Sequence, residues 1–214
     1  MKNILKTGAA ILAFFASTTT FAQTFFGSGT TEPIKFGIRA GINYSNIYDE
    51  KGNGFVADDK LGYVGGAFAS IPLGRYIGVQ PEVLYSQKGF KASGSVLGFN
   101  YNYKETLSYL DVPLQLQIKP IPQIAILLGP QYSYLLDTKY EFNGNTSRAQ
   151  EDAISRDNYK KHILGFVVGA DLNIDGFILG IKSGWDITQT DKDGNSTSSR
   201  FKNQVLQATL GYSF

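Results

Sequence analysis

The sequence predicts an all-β protein, an eight-stranded antiparallel up-and-down transmembrane β-barrel, from three observations. Apolar and polar residues alternate at period two along eight segments of eleven residues or more, and successive β side chains point to opposite sides. Glycines gather on the polar side of these segments, at Gly37, Gly41, Gly78, Gly129, Gly165, Gly169, Gly180, Gly184 and Gly211. Short and long connections alternate along the whole chain, which in a meander puts every short turn at one end.

The chain has 214 residues, of which 24 are glycine and none is cysteine. That composition is too apolar for disorder and too rich in Gly and Tyr for a typical helical protein. Without cysteine there is no disulfide framework, thiolate metal site, cysteine nucleophile or lipidated N-terminal Cys. The formal charge of +2 gives no electrostatic case for nucleic acid.

Residues 1–22 read as a signal peptide. Lys2 and Lys6 precede the short apolar run Gly8–Ala16, and Thr20-Phe21-Ala22 offers small residues for cleavage between Ala22 and Gln23. The run is too short for a membrane-spanning helix, which needs about 17–25 apolar residues. Losing the two leader lysines brings the net charge from +2 to zero. Residues 23–34 form a flexible lead-in rich in Gly, Ser and Thr, and 35–214 the barrel domain.

The first strand, Lys35–Ser45, sets Phe36, Ile38, Ala40, Ile42 and Tyr44 against Gly37, Arg39, Gly41 and Asn43. The second, 61–72, is too rich in Gly and Ala for its faces to be assigned. The third, Tyr76–Gly89, opposes Ile77, Val79, Val83 and Tyr85 to Gly78, Gln80, Glu82 and Ser86, and ends at a polar loop over 90–102. The fourth carries "YLDVPLQLQIKP", where Leu110 to Ile118 alternate with Asp111 to Lys119. The fifth, 123–136, shows Ile124, Ile126, Leu128, Tyr132 and Tyr134. The sixth and seventh, 161–174 and 177–188, oppose Leu164, Phe166, Val168, Leu179 and Ile181 to Gly165, Asp171, Lys182 and Asp186. The eighth, 202–214, ends in Leu210-x-Tyr212-x-Phe214.

Short turns are expected at Leu73-Gly74-Arg75, at Pro120-Ile121-Pro122 and at Asp175-Gly176, the last a strong two-residue hairpin signal. Long polar loops are expected over 46–60, 90–102, 137–160 and 189–201.

Period two does not say which face is inside. A soluble barrel would point its apolar face inward, and a transmembrane barrel does the reverse. Glycines on the polar face decide for the second: an eight-stranded lumen is just wide enough for side chains, and glycines leave room for larger neighbours. Tyr44, Tyr85, Tyr109, Tyr132, Tyr134, Trp185, Tyr212 and Phe214 mark segment ends, as aromatic girdles at membrane interfaces do. The lumen then holds Arg39, Lys119 and Lys182 against Glu82, Asp111, Asp171 and Asp186, a balance that suits a salt-bridged plug centred on Arg39 and Glu82, with Lys119 solvated.

"FGIRAGINYSN", "GAFASIPLGRYIGVQPEVLYSQKG", "YLDVPLQLQIKP" and "LLGPQYSYLL" resemble the porin-family or PorT-like outer-membrane β-barrels abundant in Bacteroidota. The resemblance covers Lys35 to Phe214. It implies an eight-stranded barrel in the bacterial outer membrane, multi-pass, with short turns periplasmic and long loops extracellular. Members mostly lack a defined activity, and one branch is linked to type IX secretion. Leu210, Tyr212 and Phe214 are similar to the C-terminal signal read by the barrel-assembly machinery.

His162 is the sole histidine, with Ser155 and Asp157 close in sequence. The His-x-Ser pair of outer-membrane lipid A deacylases fails because residue 164 is Leu. "DKDGNS", Asp191–Ser196, lacks the Gly and Glu positions of a calcium loop. No nucleotide-phosphate loop or metal-ligand cluster occurs, so no cofactor and no enzymatic activity are expected. The expected role is a structural and interaction scaffold. Its partners would be outer-membrane lipid and lipopolysaccharide, the assembly machinery, and an extracellular or secretion-system protein held by the loops. The alternative is a narrow channel for small solutes; a more distant one is a lipid-modifying enzyme using His162.

Overall fold

The computed structural model describes residues 33–51, 56–96, 99–143, 161–188 and 200–214. The expected signal peptide over 1–22, its expected cleavage between Ala22 and Gln23, and the lead-in up to residue 32 lie outside the described residues. The strands are β1 (Lys35–Lys51), β2 (Val56–Asp58), β3 (Lys60–Pro72), β4 (Ile77–Val96), β5 (Phe99–Ile121), β6 (Ile124–Asn143), β7 (His162–Ile174), β8 (Phe177–Asp186) and β9 (Arg200–Ser213). Their order is β2-β4-β3-β1-β9-β8-β7-β6-β5, and β5 also pairs with β4. Eight long antiparallel strands therefore close on themselves, with the three-residue β2 laid against the upper part of β4. Closure removes the unpaired edges that a membrane cannot tolerate.

Local chemistry sets the turns. Asp175 and Gly176 both adopt positive φ, 52° and 90°, the backbone of a type I′ hairpin, and Ile174 pairs with Phe177 across it. The Asn173 side-chain oxygen accepts the Gly176 N–H at 3.1 Å. At the next turn Ile121 pairs with Ile124, so the bend falls on Pro122–Gln123, one residue beyond the centre suggested by the two prolines. The Leu73 and Gly74 N–H groups both donate to the Ile77 carbonyl, at 2.9 and 3.0 Å.

The strands outrun their expected ends. β4 and β5 pair as far as Val96 and Phe99, so most of the expected loop over 90–102 is ladder. β6 continues to Asn143 and β1 to Lys51. Beyond the membrane both faces of a strand can meet water, so alternation stops marking the strand although the backbone ladder continues. The remainder of the expected loops over 137–160 and 189–201 lies outside the described residues.

Ile38, Ile42, Leu114, Leu116, Ile126, Leu179, Ile181 and Leu210 are exposed on the outer wall. The faces of β3, unassigned from sequence, are clear: Lys60, Val64, Phe68 and Ser70 are buried inside, and Leu61 and Tyr63 are exposed outside. The interior is mixed, with Leu84, Leu107, Leu127, Ile163 and Val167 buried among polar groups. Tyr109 departs from expectation. It is 1 % exposed and lies in the lumen rather than in an aromatic girdle, because it stands two residues from Asp111 and shares its face.

Candidate functional site

The lumen is where the charges gather, and the backbone makes room for them. Arg39 stands directly across from Gly66 on β3 and Gly211 on β9. Asp171 faces Gly180, Lys182 faces Gly169 and Asp186 faces Gly165. A Cβ on Gly180 would sit 2.6 Å from Asp171 Oδ1 and 3.2 Å from Arg39 Nη1, and one on Gly169 would sit 2.5 Å from Lys182 Cγ. These glycines are spaces occupied by the long charged neighbours.

The charges form two layers. In the first, Arg39 makes a bidentate pair with Asp171, Nη1 to Oδ1 at 3.2 Å and Nη2 to Oδ2 at 2.7 Å. Its Nη2 also lies 3.5 Å from Glu82 Oε1. Lys182 Nζ reaches the same Glu82 oxygen at 2.6 Å. Gln80 donates to Glu82 Oε1 at 2.8 Å, Gln117 donates to Gln80 Oε1 at 2.8 Å, and Ser70 donates to Gln117 Oε1 at 2.8 Å. The Arg39 guanidinium also lies 4.7 Å from the centre of the Phe68 ring. This layer joins β1, β3, β4, β5, β7 and β8, and its two cations balance its two anions. Pairing of this kind is what allows charges to be buried at all.

The second layer centres on Lys88, whose Nζ lies 3.2 Å from Asp111 and 3.9 Å from Asp186. Asn203 donates to Asp186 Oδ2 at 2.7 Å, and the Lys88 ammonium sits 4.9 Å from the centre of the Tyr109 ring. A cavity of about 20 Å³ is lined by residues of both layers, among them Asp111, Lys182 and Asp186. That volume holds about one water.

Six of the seven residues expected in the lumen, Arg39, Glu82, Asp111, Asp171, Lys182 and Asp186, are buried there. Lys119 is half-buried at the turn end, where its backbone N–H donates to the Tyr76 carbonyl at 2.7 Å. Lys88 was missed. It sits on the same parity as Glu82 and Ser86 but precedes Gly89, where the alternation reads as ending. Glu105 and Lys60, also buried inside, were missed too: Glu105 stands near the start of the fourth strand among polar neighbours, and Lys60 closes the expected loop over 46–60. Leu210, Tyr212 and Phe214 are exposed on the outer wall.

His162 is exposed on the outer face, its Nδ1 within hydrogen-bonding distance of the Tyr132 hydroxyl at 2.5 Å, with the Tyr134 ring 5.3 Å away. Ser155, Asp157 and the Asp191–Ser196 segment lie outside the described residues. No group of three or more His, Cys, Asp or Glu that could hold a metal occurs among the described residues.

No curated protein matches the chain in sequence. Among solved structures, the chain is similar to Neisserial surface protein A, with 12 % identity over 86 % of this chain and 100 % of that one and a TM-score of 0.54. It is also similar to Ail, the attachment invasion locus protein of Yersinia pestis, with 12 % identity, coverage of 86 % and 100 %, and a TM-score of 0.48. OprG from Pseudomonas aeruginosa gives 16 % identity, coverage of 84 % and 95 %, and a TM-score of 0.47. At such identities the likeness to Neisserial surface protein A speaks of fold alone. Residues 21–192 match the outer membrane protein beta-barrel domain family, which agrees with an apolar outer wall around a charged interior. The chain belongs to that family and is a small eight-stranded β-barrel of the bacterial outer membrane.

Proposed function

We propose that the protein is a structural and interaction scaffold with a plugged lumen. In this reading its short turns face the periplasm. Its long connections face outward and hold an external protein or lipopolysaccharide. The observation that carries the reading is the Arg39–Asp171–Glu82–Lys182 layer, which with Gln80, Gln117 and Ser70 joins six strands across the lumen. An eight-stranded lumen has little width to spare, and the cavity beside this layer is only about 20 Å³. The finer placement among the porin-family, PorT-like barrels of Bacteroidota rests on "QPEVLYSQKG" and "YLDVPL". The role is read as non-enzymatic: His162 Nδ1 is engaged by the Tyr132 hydroxyl on the outer wall, and residue 164 is Leu where a lipid A deacylase has Ser.

One observation favours a second reading, a narrow channel. Both side-chain amide atoms of Gln115 are buried with no hydrogen-bond partner in the protein, which suits a lumen that admits water.

The test is single-channel conductance of the refolded chain from Gln23 to Phe214 in a planar bilayer, with folding shown by a gel shift on boiling. A silent bilayer is expected. Reproducible conductance steps would overturn the plug, and their loss or altered ion selectivity in Glu82→Gln would place the path at this layer.

A further inference from the structure

The outer wall has a concavity that the lumen does not explain. Register places Ile38, Tyr212, Phe177 and Ile174 in one row across β1, β9, β8 and β7. In the next row Ala40 stands beside Leu210. These rows enclose a groove of about 510 Å³, within the roughly 300–1,000 Å³ of small-molecule sites. The groove is also lined by Arg39, Ile178 and Gly211. The Arg39 and Ile178 side chains are buried inside the barrel, so those residues give the outer groove only their backbone. Ala40 is the small residue that lets the floor come so close. Phe177 and Tyr212 meet edge to face, ring centres 5.1 Å apart, and fix one lip.

We propose that this groove holds a single acyl chain of a membrane phospholipid, as a retained lipid rather than one of the exchanging lipids around the barrel. Its walls are apolar and continuous with the belt that meets the bilayer, so the occupant is a hydrocarbon chain already present at that depth. A lipid tail gains no hydrophobic transfer by leaving other tails. What it gains is contact: on the convex wall a chain touches protein along one side, whereas in the groove it is flanked by the Ile38–Phe177 row and the Ala40–Leu210 row, and dispersion sums over those contacts. Selection is therefore by shape.

The experiment uses the refolded barrel in vesicles of phosphatidylethanolamine and phosphatidylglycerol, exchanged into detergent and weighed by native mass spectrometry. One retained phospholipid per barrel is expected. Ala40→Phe fills the floor and should cut the retained fraction at least about fivefold, equivalent to about 1 kcal/mol. Val112→Phe, on the outer face of β5 and across the barrel from the groove, should leave it unchanged. Both variants alter an outward position, and the gel shift on boiling reports that each has folded. No retained lipid in the parent protein, or equal loss in both variants, would overturn the proposal. Dimers that vanish in Ala40→Phe would overturn it in favour of a second copy of the chain.

Discussion

At the scale of single residues, the lumen is a set of exchanges between charge and absence. Each of Arg39, Asp171, Lys182 and Asp186 has a glycine as its cross-strand partner, so the interior is filled by side chains from one strand leaning over their neighbours. The glycines are consequently unequal. Gly169→Ala and Gly180→Ala push a methyl into Lys182 and into the Arg39–Asp171 pair, where overpacking costs about 1–3 kcal/mol. Gly184→Ala meets only the Phe166 carbonyl at 3.8 Å. It should be neutral or gain up to about 1 kcal/mol from the stiffer unfolded chain. Urea titration of the gel-shifted band in lipid vesicles separates the two outcomes; equal effects at all three positions would refute the space argument. The polar-face glycines were readable in the sequence as room for Arg39 and Lys182, but which glycine serves which charge depends on register, which period two does not supply. Tyr109 shows the opposite failure. Its parity with Asp111 places it inside, yet its position at a segment end suggested a girdle.

At the scale of elements, the turns carry more specific information than the strands. Asp175-Gly176 was legible as a hairpin because few residue pairs accept two consecutive positive φ values, and the structure gives 52° and 90° there. Gly176→Ala should destabilise the barrel by about 1 kcal/mol, while Asp175→Asn, tolerant of the left-handed region, should be near neutral. Equal urea midpoints for Gly176→Ala and the parent would show that the turn contributes nothing to stability. Strand ends were less legible. Lys88 and Glu105 sit at the loop-side limits of their expected strands, where outward neighbours such as Gln87 and Lys104 are polar, so the two faces look alike although the ladder runs on to Val96 and Phe99. The face of β3 was hard to read because, between Tyr63 and Ile71, its outer side holds only Gly65, Ala67 and Ala69. Lys60, Val64, Phe68 and Ser70 sort inward only when paired with β1 and β4.

At the scale of the whole molecule, the barrel is an inverted globule, with its saline interior held by pairs and its oil on the outside. The cost of a misplaced charge should therefore depend on depth. Leu114→Lys, on the outer wall in mid-strand, should cost about 2–4 kcal/mol, whereas Leu61→Lys near the loop end should cost no more than about 1. Refolding free energies in vesicles would measure both, and an equal cost at the two depths would contradict the lipid-facing assignment of this wall.

The alternation that builds this wall has a consequence for the chain before it folds. Ile38, Ile42, Leu114, Leu116, Leu179 and Leu210 belong to one continuous lipid-facing surface only because strands pair; along the extended chain each is separated from the next by an inward-facing residue. The barrel portion therefore offers no contiguous run of the about 17–25 apolar residues that an insertion channel retains as a helix. The passenger carries its membrane affinity in a scattered form while it crosses membrane and water, and that affinity becomes legible to lipid only on closure.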